Sequence, residues 1–395
     1  MHDGANVLRD LFLIFLLARA GGEILVRLKQ PAVIGELLVG IAIGPHAFGL
    51  VHEGEVLRSI AEVGVVFLLF EVGLENRFSD LRRVGGTASA VALSGVVVPF
   101  VFGAGLLLAL GHGTNQSVFL GAALVATSVG VTARVFGDLR MLRHQQAQVV
   151  LAAAVIDDVL GLLVLAVVTG LAAGGLEAGQ FALLLAEAAF FLVFVATVGT
   201  RLMRRHGPLL ERIRVSDGPF VVGVVVCLGL SALAAQIGLA AIVGAFLAGM
   251  VFAETREHYT MEKRIEPVTH FLTPFFFVLT GMAVDPRFFT NPAVVGLGTA
   301  VLLVAIVTKV VPCSIAARSL GATRALMVGV GMVPRAEVGI IVASIGLRTG
   351  VLGAELYGVV VLMSVLTTLV APPVLRVLAR KAAVPETIRI HETLP

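Results

Sequence analysis

Apolar runs of about 20 residues recur along the whole chain, separated by short charged breaks, and about 20 apolar residues is what a helix needs to cross a hydrocarbon layer about 30 Å thick. Of 395 residues, 58% are hydrophobic and 14% charged, and mean hydropathy is +1.00. Soluble domains carry about 25% charged residues. A soluble chain this apolar would need one very large core, which the regular charged breaks argue against. The expected class is therefore an all-α polytopic membrane protein.

The pattern predicts thirteen spans, at about 7–27, 31–50, 57–76, 84–110, 117–138, 146–171, 180–203, 216–236, 238–254, 264–284, 293–317, 322–347 and 354–379. Of 29 Lys and Arg residues, only Arg9, Arg58, Arg287 and Arg348 fall on the even-to-odd connections and the N-terminal side, while Arg19, Arg134, Lys309 and Arg335 lie within spans. All the others lie on the odd-to-even connections or the tail, including Arg77, Arg82, Arg83, Arg201, Arg204, Arg205, Arg376, Arg380 and Lys381. The positive-inside rule then puts the N-terminus outside and the C-terminus in the cytoplasm. The basic residues are thus topology signals, and no nucleic-acid partner is expected. The first run carries Arg9, Asp10, Arg19 and Glu23 without a small-residue cleavage site, so it reads as a retained span. Cys227 and Cys313 fall inside apolar runs and read as buried small hydrophobes. No GxxxxGK[ST] loop is present, so gradient-driven transport or catalysis within the bilayer is expected over nucleotide-driven work.

Polar groups inside the spans carry the functional signal. Span six reads AAAVIDDVLGLLVLAVV, with Asp157 and Asp158 adjacent. Each carboxylate costs about 2.5–3.5 kcal/mol at the centre of a membrane helix. A start near Ala147 puts Asp158 about 17 Å in, near the midplane. Adjacent helix positions point about 100° apart, so one carboxylate can be held in an ion pair while the other lines a cavity. Lys309, mid-run in VLLVAIVTKVVPCS of span eleven, is a lone buried ammonium that needs a partner, and one of the aspartates is the obvious one.

Two spans look interrupted. Span five holds Thr127, Ser128, Gly130 and Thr132; span twelve holds Gly329, Gly331 and Pro334, followed by Arg335 and Glu337. Such breaks at corresponding places in two halves mark the binding site of inverted-repeat transporters, and their freed carbonyls and hydroxyls suit a hard cation such as Na⁺. With span seven as a linker, spans 8–13 repeat 1–6 in the opposite orientation. Arg335 and Glu337 are candidates to pair with each other or with loop groups. Glu36, Glu71, Glu75, Glu187 and Glu254 are further carboxylates, of which Glu71 is the most embedded and has no assigned role; Gly40 and Gly44 form a GxxxG helix-contact candidate.

Five stretches together resemble the monovalent cation:proton antiporter-2 family, and within it the NapA-type bacterial sodium/proton antiporters. They are QPAVIGELLVGIAIGP at 30–45, VVFLLFEVGLE at 65–75, ALVATSVGVTARVFGDL at 123–139, VIDDVLG at 155–161 and GVGMVPRAEVGIIVASIGL at 329–347. The resemblance implies a homodimer with scaffold helices at 1–76 and 216–284, a mobile core at 84–171 and 293–380, a linker helix at 180–203 and a cytoplasmic tail at 381–395. It implies elevator-type, electrogenic exchange of Na⁺ or Li⁺ for H⁺ across a bacterial inner membrane, serving pH homeostasis, with no cofactor and no enzymatic activity. Asp158 matches the family's cation- and proton-binding aspartate, Asp157 its lysine-paired neighbour, Lys309 that lysine and candidate proton carrier, and Thr127 and Ser128 the unwound segment at the ion. Gly130, Thr132, Pro334, Arg335 and Glu337 match the crossing-helix support. Ala336 stands where the family's PRGE motif has glycine, and Glu71 where an apolar residue is usual. K⁺/H⁺ exchange or a Kef-like potassium efflux system is the rival within transport; those commonly show Gln-Asp and a cytosolic nucleotide-binding domain. An intramembrane aspartyl protease needs facing aspartates on separate helices and a YD…GxGD pair, neither of which the sequence offers.

Overall fold

The computed structural model describes residues 2–172, 178–203, 205, 218–254, 261–285, 287, 292–335 and 337–383. Most of the connection at 204–217, with Arg204, Arg212 and Arg214, and the tail beyond 383 lie outside the described residues. The regular structure among the described residues is helical: α1 His2–Arg27, α2 Ala32–Ile43, α3 Glu55–Leu74, α4 Phe78–Ala109, α5 Thr114–Ala123, α6 Val129–Asp138, α7 Gln145–Ala172, α8 Ala178–Phe194, α9 Gly218–Gln236, α10 Ala241–Ala253, α11 Met261–Met282, α12 Pro292–Ala316, α13 Ala322–Gly331, α14 Glu337–Arg348 and α15 Ala354–Ala383. A π-helical turn, Val195–Gly199, continues α8. Six helices among the described residues are long and apolar enough to cross a membrane.

Two packing groups divide the helices. In one, α3 lies against both α10 and α11, α2 against α1 and α11, and α9 against α10. In the other, α4 lies against α5, α7 and α12, and α15 against α12, α13 and α14. The seam between them is thinner, where α6 meets α2 and α3. Close approach in each group depends on glycine. A methyl at Gly40 of α2 would overlap the Val278 carbonyl of α11, and one at Gly44 would stand 3.1 Å from Met282 Cα. The GxxxG pair is therefore a helix-contact face. Gly249 of α10 meets Phe70 O of α3 in the same way. In the other group, Gly121 of α5 sits 2.7 Å from Phe100 O of α4, and Gly329 of α13 sits 2.5 Å from Val310 O of α12, distances measured from an added Cβ. In a membrane such small-residue contacts supply dispersion energy that lipid tails would otherwise match.

Outward faces are apolar. Leu8, Phe12, Phe102, Leu303 and Val307 are exposed, as expected where the solvent is hydrocarbon and not water. The last helix differs, with 72% of its apolar window buried inside the protein.

Candidate ion-binding site

The two interrupted spans are each two helices with a non-helical stretch between: α5 and α6 are separated by residues 124–128, and the described residues 332–335 follow α13 before α14. Ser128 is extended, at φ −83° and ψ 103°. Pro334 disfavours helical backbone at the residue before it. Unwound backbone in a membrane must find hydrogen bonds within the protein, and carbonyls of the second interrupted span accept from the first. Ser128 N–H donates to Pro334 O at 2.8 Å, Thr132 Oγ1 to Gly331 O at 2.7 Å and Thr127 Oγ1 to Met332 O at 3.4 Å. In all three the first interrupted span donates and the second accepts, which ties the two breaks together.

Lys309 of α12 reaches this crossing. It is fully buried, and its Nζ donates to Thr127 Oγ1 at 2.9 Å and to Asp157 Oδ2 at 3.2 Å. Gly95 of α4 makes room for it; a Cβ there would stand 3.2 Å from Nζ and 3.1 Å from Cys313 Sγ. Asp157 is 2% exposed, and its Oδ1 has no hydrogen-bond partner. Asp158 points elsewhere. Half-buried, it lines a cavity of about 10 Å³ with Leu69 of α3, Val129 of α6, Leu151 of α7, and Val243 and Phe246 of α10. That volume holds about one water. The adjacent carboxylates thus face different surroundings: Asp157 turns inside one packing group, and Asp158 stands at the seam between the two.

Gly130 is also at the seam, where a Cβ would lie 3.2 Å from Val65 and 3.7 Å from Phe276. Arg335 is fully buried, and its Nη1 donates to Met332 O at 3.3 Å and Val333 O at 3.4 Å. Glu337 begins α14, but its side chain lies outside the described residues, so the Arg335–Glu337 pairing expected from sequence does too. Glu71 lines a wider cavity of about 480 Å³ between α3, α6 and α11, together with Glu75, Arg134, Asp138, Glu266 and His270. Glu36 of α2 is buried and interacts electrostatically with Arg134 of α6, which also pairs with Asp138 at 3.3 Å. Among the described residues, no group of three or more His, Cys, Asp and Glu residues could hold a metal ion. Gly95, the Glu36–Arg134 interaction, and Thr367 and Thr368 of α15, which bond the backbone of Arg335, are additions that the fold brings to the site. The Thr-Thr pair was visible as polar residues in an apolar run; the other two show no signal without the fold.

Broken helices crossing beside buried charges, in a bundle with lipid-compatible faces, define a membrane-embedded secondary transporter and not an enzyme. The chain belongs to the sodium/hydrogen exchanger family: the family model described as "Sodium/hydrogen exchanger, transmembrane" matches residues 12–381. It is 35% identical to the high-affinity Na(+)/H(+) antiporter NhaS3 of Synechocystis sp., over 97% of this chain and 92% of that protein. It is 32% identical to the Na(+)/H(+)-K(+) antiporter GerN of Bacillus cereus, over 92% of this chain and 94% of that protein. The Na(+)/H(+) antiporter of Enterococcus hirae is likewise 32% identical, with 94% and 97% covered. The sodium proton antiporter MjNhaP1 from Methanocaldococcus jannaschii shares the fold, with a TM-score of 0.67 over 96% of this chain and 99% of that one, at 19% identity.

Proposed function

We propose that this protein exchanges Na⁺, or Li⁺, for H⁺ across a bacterial cell membrane, with Asp158 as the shared carboxylate. The observation that carries the reading is the divergence of the aspartate pair. Asp157 is tied to Lys309 inside one packing group, and Asp158 borders a cavity at the seam with the other. A carboxylate that holds either a cation or a proton, never both, couples the two fluxes by competition alone. Its place on the seam supports alternating access by sliding one group past the other: α4–α7 with α12–α15 as the moving core, α1–α3 with α9–α11 as scaffold, and α8 as linker. When the cation arrives, Asp157 leaves Lys309, and the buried ammonium gives up its proton. Two protons then move per sodium, and transport is electrogenic.

An inverted repeat underlies this division. Among the described residues, counting each broken pair as one helix is consistent with thirteen spans, and matched packing supports relating 1–6 to 8–13: α1 on α2 as α9 on α10, α2 on α11 as α10 on α3, α4 on α7 as α12 on α15. Gly40 and Gly249 stand at the same step of α2 and α10, as do Gly121 and Gly329 of α5 and α13. With an odd linker span the halves are oppositely oriented. The loop charges support an outside N-terminus and cytoplasmic C-terminus. The protein works as a homodimer, as the family resemblance implies.

Purified protein in liposomes tests the reading by Na⁺-driven proton flux, with and without a clamped membrane potential. Wild type responds to voltage, Lys309→Gln loses that response, and Asp158→Asn does not exchange. Wild-type rates in Asp158→Asn would refute the assignment. The printed name of GerN includes K⁺, so a second reading is K⁺/H⁺ exchange; flux driven by K⁺ and silent to Na⁺ would favour it.

A further inference from the structure

The polar centre extends to a third element that neither break contains. Both backbone groups of Arg335 are taken up by α15: its N–H donates to Thr367 Oγ1 at 3.2 Å, and Thr368 Oγ1 donates to its carbonyl at 2.8 Å. Thr368 Oγ1 also stands 2.8 Å from Ser364 O, and a hydroxyl has one proton. Thr367 also donates to Ser364 O at 2.8 Å, so the Thr368 proton is shared between Ser364 O and Arg335 O. What sets this pair apart is the bond each adds to another element, beyond the one to its own preceding turn. Thr197, Thr299 and Thr308 each bond the carbonyl four residues back, the ordinary habit of a helical threonine. Thr367, Thr368 and Arg335 are all at most 1% exposed, so water cannot replace these bonds.

Arg335 follows Pro334, whose carbonyl accepts the Ser128 N–H. The hydroxyl next to it, on Thr127, accepts from Lys309. We propose that Thr367 and Thr368 are positioning residues of the transport cycle: clamping the Arg335 backbone from both sides fixes the Pro334 carbonyl, and through it the Thr127–Ser128 break that faces the cation. The proposal rests on the antiport reading given above. In the repeat, Thr367–Thr368 stand on α15 at the depth, to within one residue, at which Asp157–Asp158 stand on α7. One half of the molecule carries the charge there, and the other presents hydroxyls that hold the frame.

The test uses the full chain in liposomes, driven by whichever of Na⁺, Li⁺ or K⁺ drives wild-type exchange, with Thr368→Val, Thr367→Val and Thr368→Ser. Valine keeps the threonine shape and deletes the hydroxyl. Loss of one buried hydrogen bond corresponds to about a tenfold rise in the apparent cation KM, with kcat within about twofold of wild type, and Thr368→Ser restores it. A purely structural threonine would lower the unfolding temperature and leave KM unchanged. Folded Thr368→Val and Thr367→Val proteins with wild-type KM would overturn the proposal. Should Thr368→Val not accumulate folded, Thr367→Val, which loses the Arg335 N–H contact and a bond to Ser364 O within its own helix, decides on the same criterion. Wild-type protein without any cation-driven flux would sink the antiport reading itself, a result distinct from an unchanged KM.

Discussion

Replacing Lys309 with methionine keeps an unbranched stem and removes the ammonium. The ammonium lies 3.2 Å from Asp157 Oδ2 and 2.9 Å from Thr127 Oγ1, at a site where Lys309 is 0% and Asp157 2% exposed. Without it Asp157 is left with no cation at hydrogen-bond distance, and its Oδ1 already lacks a hydrogen bond. Removing one partner from a buried ion pair costs about 3–5 kcal/mol, because the remaining charge keeps its desolvation penalty and loses the attraction. Asp157→Asn alone is costly for the mirror-image reason, with Lys309 stranded. The double variant leaves no buried charge at the pair, so its loss is smaller than the sum of the two by about 2–3 kcal/mol, at the upper end of couplings between contacting residues. The chain has no tryptophan, so equilibrium unfolding in detergent is followed by far-ultraviolet circular dichroism at neutral pH. A loss below about 1 kcal/mol for Lys309→Met, with the double variant additive to within about 0.5 kcal/mol, would refute the pairing as a stabilising contact.

Asp158→Asn removes a carboxylate that lines a cavity and leaves the Lys309 pair alone; Na⁺-dependent thermal stabilisation disappears while the salt-free unfolding temperature is kept or raised, as a melt with and without NaCl checks. Gly95→Ala puts a methyl 3.2 Å from Lys309 Nζ and 3.1 Å from Cys313 Sγ; it weakens voltage-dependent flux, and shrinking the neighbour with Cys313→Ala recovers part of it. Gly40→Ala pushes α2 from α11 and costs about 1–3 kcal/mol of stability, whereas Gly86→Ala, with nothing within 4 Å of its added carbon, stabilises α4 by about 0.5–1 kcal/mol. Both signs are read in the same melts.

The sequence by itself determined the all-helical membrane class, the aspartate pair, the lysine and the two breaks. These were legible because hydrocarbon imposes rules that act residue by residue: a run of about 20 apolar side chains is forced to be helix, and a charge inside one stands out by its cost. Which aspartate meets Lys309 was open in the residues alone, since adjacent positions merely diverge; the family resemblance pointed to Asp157, and the helix rotation of α7 places it there. Only the tertiary structure showed why the breaks exist as a pair, since the carbonyl that satisfies Ser128 N–H belongs to Pro334, some 200 residues away, as the separation of 199 between Thr132 and Gly331 indicates. Gly95 is one of 44 glycines in the sequence, and nothing local distinguishes it until α4 is laid against α12. Thr367 and Thr368 stand out in the sequence as polar residues in an apolar run, but what they bond does not. A hydroxyl in a helix ordinarily bonds its own preceding turn, and only packing decides when it bonds another element. Charge and hydropathy are properties of a residue, readable in one dimension; the satisfaction of a buried polar group is a property of its neighbours, and those exist only once the chain has folded.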